Sequence, residues 1–398
     1  MINMELTAKQ QDGLKISIER YICGETYTCI GGYAGSGKST LVRFIINALG
    51  VDPELEVAYV AYTGKAAKVL SEKGNPNATT IHKLIYKARQ MPNGKYIYSL
   101  VPKTELIDRY KVIVVDEVSM VPLQMWFELL SYGIYILACG DPGQLPPVDK
   151  DADNHVLDKP HVFLDEIMRQ AQESEIIKLS MDIREGKPLK PFKGKEVHII
   201  KKEDLVTGMY TWADQVLVGT NAQRIAINTQ MREMAGRGPT PEIGDKVISL
   251  HNHWDCYSDF SAPLTNGTIG YIHDFNLRSI WLPRYIHEGK IDILDIALKD
   301  ESEGIFENLP LDYQCLNTGE KVLGPRQEYQ LKKNKNYEGP IPMDFSYAYA
   351  ITTHKAQGSE WDKVLIIEEK FPFDPEEHKR WLYTAVTRAA KKVVLVLK

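Results

Sequence analysis

The chain has 398 residues, 43% hydrophobic and 25% charged, an ordinary globular composition with apolar material for two or three domains. Its 53 acidic and 48 basic residues leave a net charge of −5. That argues against a passive, histone-like basic binder, although a local basic groove is compatible with an acidic total. Five scattered cysteines (Cys23, Cys29, Cys139, Cys256 and Cys315) without a CxxC pair argue against a disulfide framework or a zinc site. No run approaches 18 apolar residues and no basic region precedes an apolar stretch at the N-terminus, so neither a membrane span nor a signal peptide is expected.

In chain order, short apolar runs at Thr28 to Ile30, Val57 to Tyr62, Val112 to Val115 and Ile134 to Cys139 read as buried parallel strands. A second set comes at Val216 to Gly219, Val364 to Ile367 and Val393 to Leu397. Helical patterns flank most of them, so each set predicts a mostly parallel sheet with helices on both faces. Between Lys83 and Asp108, Pro92-Asn93-Gly94 separates two polar-aromatic segments and predicts a β-hairpin. From about Gly238 to Asp344 the pattern changes. Turn signals at Thr265-Asn266-Gly267, Glu338-Gly339-Pro340 and Ile341-Pro342, with short alternating strands such as Lys246 to Leu250, predict a small all-β insert.

The strongest chemical signal is Gly32-Tyr33-Ala34-Gly35-Ser36-Gly37-Lys38-Ser39, which fits the P-loop pattern and precedes Thr40. It sits between the predicted strand at Thr28 and a helical segment from Leu41 to Leu49, the context a P-loop requires. Glycines let the backbone N–H groups of Gly32, Ala34, Gly35, Ser36, Gly37 and Thr40 turn around a phosphate at a helix N-terminus. Lys38 would reach the β and γ phosphates of ATP, and the Ser39 hydroxyl would ligate Mg²⁺. Val112-Ile113-Val114-Val115-Asp116-Glu117 fits the Walker B pattern, a buried strand ending in two carboxylates. Asp116 would hold the Mg²⁺ ion, and Glu117 would orient or deprotonate the attacking water. Together the two elements point to nucleotide hydrolysis rather than binding alone.

Many classes share a P-loop, and the remaining segments narrow the choice. Asp116 to Met120 resembles the DE-box of superfamily 1 helicases, particularly the RecD-like and phage Dda-like group. Ala61 to Ala67 resembles their motif Ia, with Tyr62 where proline is commoner. Gly140 to Val148 resembles motif III, Thr353 to Glu360 motif V, and Tyr383 to Ala389 motif VI. The segments occur in family order.

The resemblance implies an α/β fold: two RecA-like parallel-sheet P-loop domains with a small β-hairpin insert and an SH3-like β insert. It implies domains at 1–165, with 84–108 as a strand-separating pin, at 166–238 together with 345–398, and at 239–344 for the SH3-like insert. By resemblance Gln144 senses the γ-phosphate, and Arg169 and Arg388 supply guanidinium groups to it. Gln10 in Leu6-Thr7-Ala8-Lys9-Gln10 reads adenine, and Glu360 lies near the nucleotide ribose or the domain interface. Thr63, Lys65, Thr80, His82, Thr353, His354 and Lys355 lie where the family contacts single-stranded DNA. The hairpin from about Arg89 to Lys103, with its tip near Met91-Pro92-Asn93, matches the pin. Trp254, Tyr257 and Phe260 are candidates for base stacking, with a place in the core of the insert as the expected alternative.

The function implied by the resemblance is that of an ATP- and Mg²⁺-dependent helicase, which translocates 5′ to 3′ on single-stranded DNA and unwinds forked duplex DNA. Its partner class would be a single-strand-binding or replication protein, its location the cytoplasm of a bacterium or phage-infected cell, and no membrane would be involved. An RNA helicase of the same superfamily and a DNA-stimulated ATPase that does not unwind remain the alternatives.

Overall fold

The computed structural model describes residues 6–75, 77–90, 96–146, 154–168, 173–259, 263–301, 303–334 and 336–398. The chain divides into two compact units, one formed by Met1–Asp214 with Ala356–Lys398 and the other by Gln215–Lys355.

The first unit is built on a six-stranded sheet in the order Thr79–Thr80, Val57–Ala61, Val112–Asp116, Tyr135–Gly140, Tyr27–Gly32, Val162–Leu164. Every pairing in it is parallel. The strands are apolar without interruption because both faces are covered. Side chains alternate between two cores, as strand geometry demands. Ile113, Val115, Ile136 and Ala138 join one core, while Val112, Val114, Leu137 and Cys139 join the other. The opening helix, Ala8–Ile22, starts at a capping box in which the Thr7 hydroxyl accepts from the Gln10 N–H and the Thr7 N–H donates to Gln10 Oε1. Gly13 lets this helix lie close to the sheet, since a Cβ there would be 2.6 Å from Val162 Cγ1.

The unit also holds the parallel strands Trp361–Ile367, Ala389–Leu397 and Val197–Lys201, closed by a short antiparallel strand Phe192–Lys193. Helices Glu175–Arg184 and Pro375–Val386 pack on this set. The expected hairpin is present as Tyr86–Gln90 paired with Tyr96–Leu100. The tip expected near Met91-Pro92-Asn93 lies outside the described residues.

The second unit contains a parallel pair, Gln215–Val218 with Ala350–Thr352, and the helix Asn221–Met234. Its main element is a five-stranded antiparallel sheet ordered Ile305–Asp312, Lys290–Asp300, Ile269–Trp281, Lys246–Ser249, Phe345–Tyr347. The insert is not all-β: helices Tyr313–Thr318 and Pro325–Lys333 interrupt it. The second of these packs Leu331 with Leu323, Ile280, Ile291 and Ile293 into a small separate core. Tyr257 is 44% exposed and so is no core residue; the Trp254 side chain and Phe260 lie outside the described set. No helix among the described residues is long and apolar enough to cross a membrane.

One charged cluster organises this unit. The Asp245 carboxylate is fully buried and accepts from Arg232 (3.1 Å), Arg237 (2.6 Å), the Tyr349 hydroxyl (2.8 Å) and the Glu242 N–H (2.8 Å). Burial alone would raise its pKa, but the hydrogen bonds from Arg232, Glu242, Tyr349 and Arg237 together hold it below the usual 3.8. A depressed carboxylate stabilises the fold above its unfolded-state pKa, and that stability is lost as pH falls through the folded value. Asp245→Asn leaves two guanidinium groups without their counter-charge. It is expected to lower unfolding free energy by about 3–5 kcal/mol at neutral pH, read by urea or thermal unfolding. The gap between variant and parent should close below pH 3.8. A variant as stable as the parent at neutral pH would show that the cluster is no keystone.

Candidate nucleotide cleft and DNA-contact residues

The P-loop joins the strand Tyr27–Gly32 to the helix Lys38–Ala48. Gly37 caps that helix with φ +82°, a left-handed conformation that glycine adopts without cost. A Cβ at Gly32 would stand 2.6 Å from Ser36 Oγ and 2.9 Å from the Leu164 carbonyl, so the loop cannot close over a larger residue. The Lys38 ammonium folds back onto its own loop, donating to the carbonyls of Gly32 (2.6 Å) and Tyr33 (3.1 Å). Ser36 Oγ is buried without a hydrogen-bond partner among the described residues. A glycine-rich turn at a helix N-terminus, with a spare hydroxyl and a curled lysine, suits a polyphosphate.

Around the loop lies a cleft of about 520 Å³. Its wall includes Ala34, Gly35, Ser36, Gly37, Lys38, Ser39 and Thr40, the carboxylates Asp116 and Glu117, and Gln144, Glu360 and Arg388. The structure thus gathers most of the nucleotide residues expected from sequence. Asp116 ends its strand in register with Ala61. Burial, then the neighbouring Glu117, push its pKa up to about 6, with Lys38 opposing. A half-buried carboxylate raised by desolvation and by a like charge suits a divalent cation, and with the Ser39 hydroxyl it makes an oxygen donor set of the kind Mg²⁺ takes. Glu117 sits in the left-handed region (φ 49°, ψ 50°), a strained conformation for a side chain with a Cβ. Glu360 pairs with Lys73 at 3.0 Å.

Arg388, 5% exposed, comes after the helix Pro375–Val386 and bonds the Thr384 carbonyl (3.1 Å), the Ser359 carbonyl (3.3 Å) and Thr387 Oγ1 (3.2 Å). Arg169 lies outside the described residues; Met168 beside it donates its N–H to the Gly35 carbonyl at 3.0 Å. Gln10 is placed otherwise than expected. Fully buried, it does not line the cleft: its Nε2 donates to the carbonyls of Ser36 and Gly37, both at 3.4 Å, while Oε1 holds Thr7. It braces the P-loop from behind.

Residues not expected from sequence complete the site. The Tyr383 hydroxyl donates to Asp141 Oδ2 at 2.6 Å and accepts the Ala34 N–H at 2.9 Å. Thr384 Oγ1 accepts the Leu145 N–H at 2.9 Å, and Gln357 Nε2 donates to the Leu145 carbonyl at 2.6 Å. Residues 356–398 are thereby latched onto the P-loop region. The Arg184 guanidinium lies 3.8 Å from the centre of the ring of Tyr33, a residue that lines the cleft. The available signal was a tyrosine in a buried segment, since a buried phenol needs a polar partner.

The expected DNA contacts fall in both units. In the first, the Thr63 hydroxyl caps the helix Gly64–Glu72 and the Thr80 hydroxyl caps Ile81–Ile85. The Lys65 ammonium lies 3.9 Å from the centre of the Trp361 ring. His82 packs between the rings of Tyr62 and Tyr86, and burial pushes its pKa down to about 4, so it is neutral at physiological pH. In the second unit, burial, then Arg224 and Lys321, bring Lys355 down to about 8, and its ammonium donates to Asn266 Oδ1 at 2.7 Å. His354 is half-buried. Thr353 is fully buried, with its N–H and hydroxyl both on the Val218 carbonyl, and has no surface to offer a strand.

Known proteins match this arrangement along its whole length. The AAA domain family matches residues 6–210, just over half of the chain, and a UvrD-like helicase C-terminal domain matches residues 347–396. The ATP-dependent RecD2 DNA helicase of Deinococcus radiodurans is 26% identical over 94% of this chain. The ATP-dependent DNA helicase dda of Enterobacteria phage T4 is 24% identical over 98%. The chain spans 99% of the phage protein but only 47% of the Deinococcus one. In fold it resembles a Pif1 helicase structure described for unwinding of forked duplex DNA (19% identity, 99% of this chain and 92% of that one, TM-score 0.52). A Bacteroides Pif1 in complex with ADP-AlF3 and single-stranded DNA resembles it similarly (20% identity, 99% and 92%, TM-score 0.51). With its P-loop, its paired carboxylates Asp116 and Glu117 and Arg388 on one cleft, the chain belongs to the AAA domain family, and it is similar over nearly its whole length to the RecD2 and dda DNA helicases.

Proposed function

We propose that the chain is an ATP-dependent DNA helicase that walks 5′ to 3′ on single-stranded DNA and opens duplex ahead of it. The observation that carries this reading is Arg388 on the same cleft as Lys38, Asp116 and Glu117, brought there by the C-terminal segment. The P-loop amides and Lys38 bind the β and γ phosphates. Ser39 and Asp116 would hold Mg²⁺, whose positive charge would offset that of the polyphosphate. Glu117 orients the attacking water, Gln144 reports the γ-phosphate, and Arg388 leaves the carbonyls of Thr384 and Ser359 to meet the transferring phosphoryl. Arg169 is assigned the same task from the sequence pattern. Because Arg388 comes from a segment remote in sequence from the P-loop, turnover is tied to how the cleft closes.

The domain scheme proposed with this function keeps 1–165 and 166–238 with 345–398 as the two RecA-like halves, with 239–344 as the SH3-like insert and 84–108 as the pin. Thr63, Lys65, Thr80, His82, His354 and Lys355 are the proposed strand contacts, and hydroxyl, imidazole and ammonium contacts to phosphate read no sequence. Partners would be single-stranded and forked DNA and a single-strand-binding or replication protein, in the cytoplasm of a bacterium or an infected cell.

ATP turnover measured with and without a single-stranded oligonucleotide should rise on DNA, and Lys38→Ala should abolish it. Unwinding should occur from a 5′ overhang and not from a 3′ overhang. Stimulation by RNA alone would move the substrate to RNA, and stimulation without unwinding of either duplex would leave a translocase.

Arg388→Ala is expected to lower kcat by roughly 10³-fold while ATP still binds, as tracked with a fluorescent nucleotide. A parent-like kcat would remove Arg388 from the chemistry.

Tyr383→Phe leaves Asp141 and the Ala34 N–H each short of a partner. It should cost about 1–3 kcal/mol of stability and weaken nucleotide affinity, read by calorimetry and nucleotide titration. If both stay unchanged, the latch is incidental.

A further inference from the structure

The hairpin Tyr86–Gln90 with Tyr96–Leu100 is a two-stranded ribbon. Such a ribbon is marginally stable at best by itself in water, so its direction has to be set at its root. Two side chains of one helix, Leu123–Ser131 with its C-cap Tyr132, act there. Tyr132, 2% exposed, shares its hydroxyl hydrogen between the carbonyls of Ile85 (3.2 Å) and Val101 (2.9 Å). These are the residues immediately before and after the ribbon, and the Val101 N–H closes on the Ile85 carbonyl at 2.8 Å. Tyr86, the first ribbon residue, donates its hydroxyl to Glu128 of the same helix. Gln124, one turn earlier, donates to the other Glu128 oxygen at 3.1 Å and steadies it. On its other side the Tyr86 ring lies 5.5 Å from that of His82.

The helix that carries Glu128 and Tyr132 begins directly after the Walker B carboxylates. Only the 3-10 turn Val118–Met120 and the Val121-Pro122 link separate it from Glu117. Asn154 pins that link, donating to the carbonyls of Val118 and Val121, both at 2.7 Å. A phenylalanine at position 132 would fill the same core volume, so the hydroxyl serves the two root carbonyls rather than packing.

We propose that Glu128 and Tyr132 are positioning residues for strand separation: they fix the root of the hairpin onto the helix beyond Asp116 and Glu117, so the ribbon keeps its direction while duplex presses against it. The inference rests on the helicase reading and on the hairpin as its pin. Neither residue touches the nucleotide cleft, and their loss should leave the motor running while the wedge gives way.

The test uses the full chain carrying Tyr132→Phe or Glu128→Ala, with DNA-stimulated ATP turnover and unwinding of a forked duplex measured on the same preparations. Unwinding should fall by roughly fivefold or more, the size of one lost hydrogen bond, while ATP turnover holds at the parent value. Unwinding at the parent rate in both variants overturns the proposal. So does a parallel fall in turnover, which would make the contacts a matter of general integrity. A third chain, with residues 91–95 replaced by two glycines, separates the premise from the inference. If it loses unwinding while the root variants keep theirs, the pin stands and the root inference fails alone. If it unwinds like the parent, the pin reading falls and takes the inference with it.

Discussion

The hydroxyl of Tyr383 joins three segments that are far apart in sequence: the P-loop through the Ala34 N–H, the strand end at Asp141, and the helix Pro375–Val386 on which it sits. Burial raises the pKa of Asp141, and Lys38 together with hydrogen bonds from Tyr383 and the Gly143 N–H works against that rise. A single hydrogen bond adds about 1 kcal/mol net, but an unpaired buried donor or acceptor costs about 1–3 kcal/mol. Breaking one contact here strands several groups at once, so the junction behaves as a unit. Arg388 stands one turn after Thr384, whose hydroxyl receives the Leu145 N–H. Its place in the cleft is therefore a consequence of the latch.

The cleft that results is under electrostatic and backbone stress. Two adjacent carboxylates end a buried strand, one pushed up to about 6 and the other in a left-handed conformation. Nothing in the packing of the core asks for this. A strand ending in serine or asparagine would satisfy the same sheet. The stress makes sense as the preorganisation of a site meant to receive a cation and a water, with the neighbouring lysine partly offsetting it.

The sheet strands were legible because a strand covered on both faces must be apolar throughout, and Val112 to Val115 or Ile134 to Cys139 admit little else. The P-loop and Walker B residues were legible because their chemistry fixes both residue type and spacing. Other features depend on long-range partners that no local pattern reveals. Gln10 is polar near an N-terminus, as a base-reading residue would be, yet tertiary packing turns its amide towards Ser36 and Gly37. Thr353 sits inside the motif that carries His354 and Lys355, yet its hydroxyl returns to Val218. The helix Pro325–Lys333 lies in a stretch dominated by turn signals, and the packing of Leu331 with Ile280, Ile291, Ile293 and Leu323 makes a helix worth forming there.

The charge state of the proposed strand contacts bears on how such a chain could move. A protein that neutralises many phosphates with lysine and arginine gains affinity steeply, and that affinity is hard to release at each step. Here the proposed contacts are softened. His82 is neutral at physiological pH, Lys355 is brought down to about 8 by burial, Lys65 rests over an indole ring, and Thr63 and Thr80 already cap helices. The chain as a whole is acidic, at −5. Hydroxyls and a neutral imidazole hold a phosphate by geometry, and a small change of geometry lets it go. A grip of that kind suits a motor that must release each nucleotide it has bound. It would also be consistent with an acidic composition, the proposed affinity resting on positioned donors rather than on net charge.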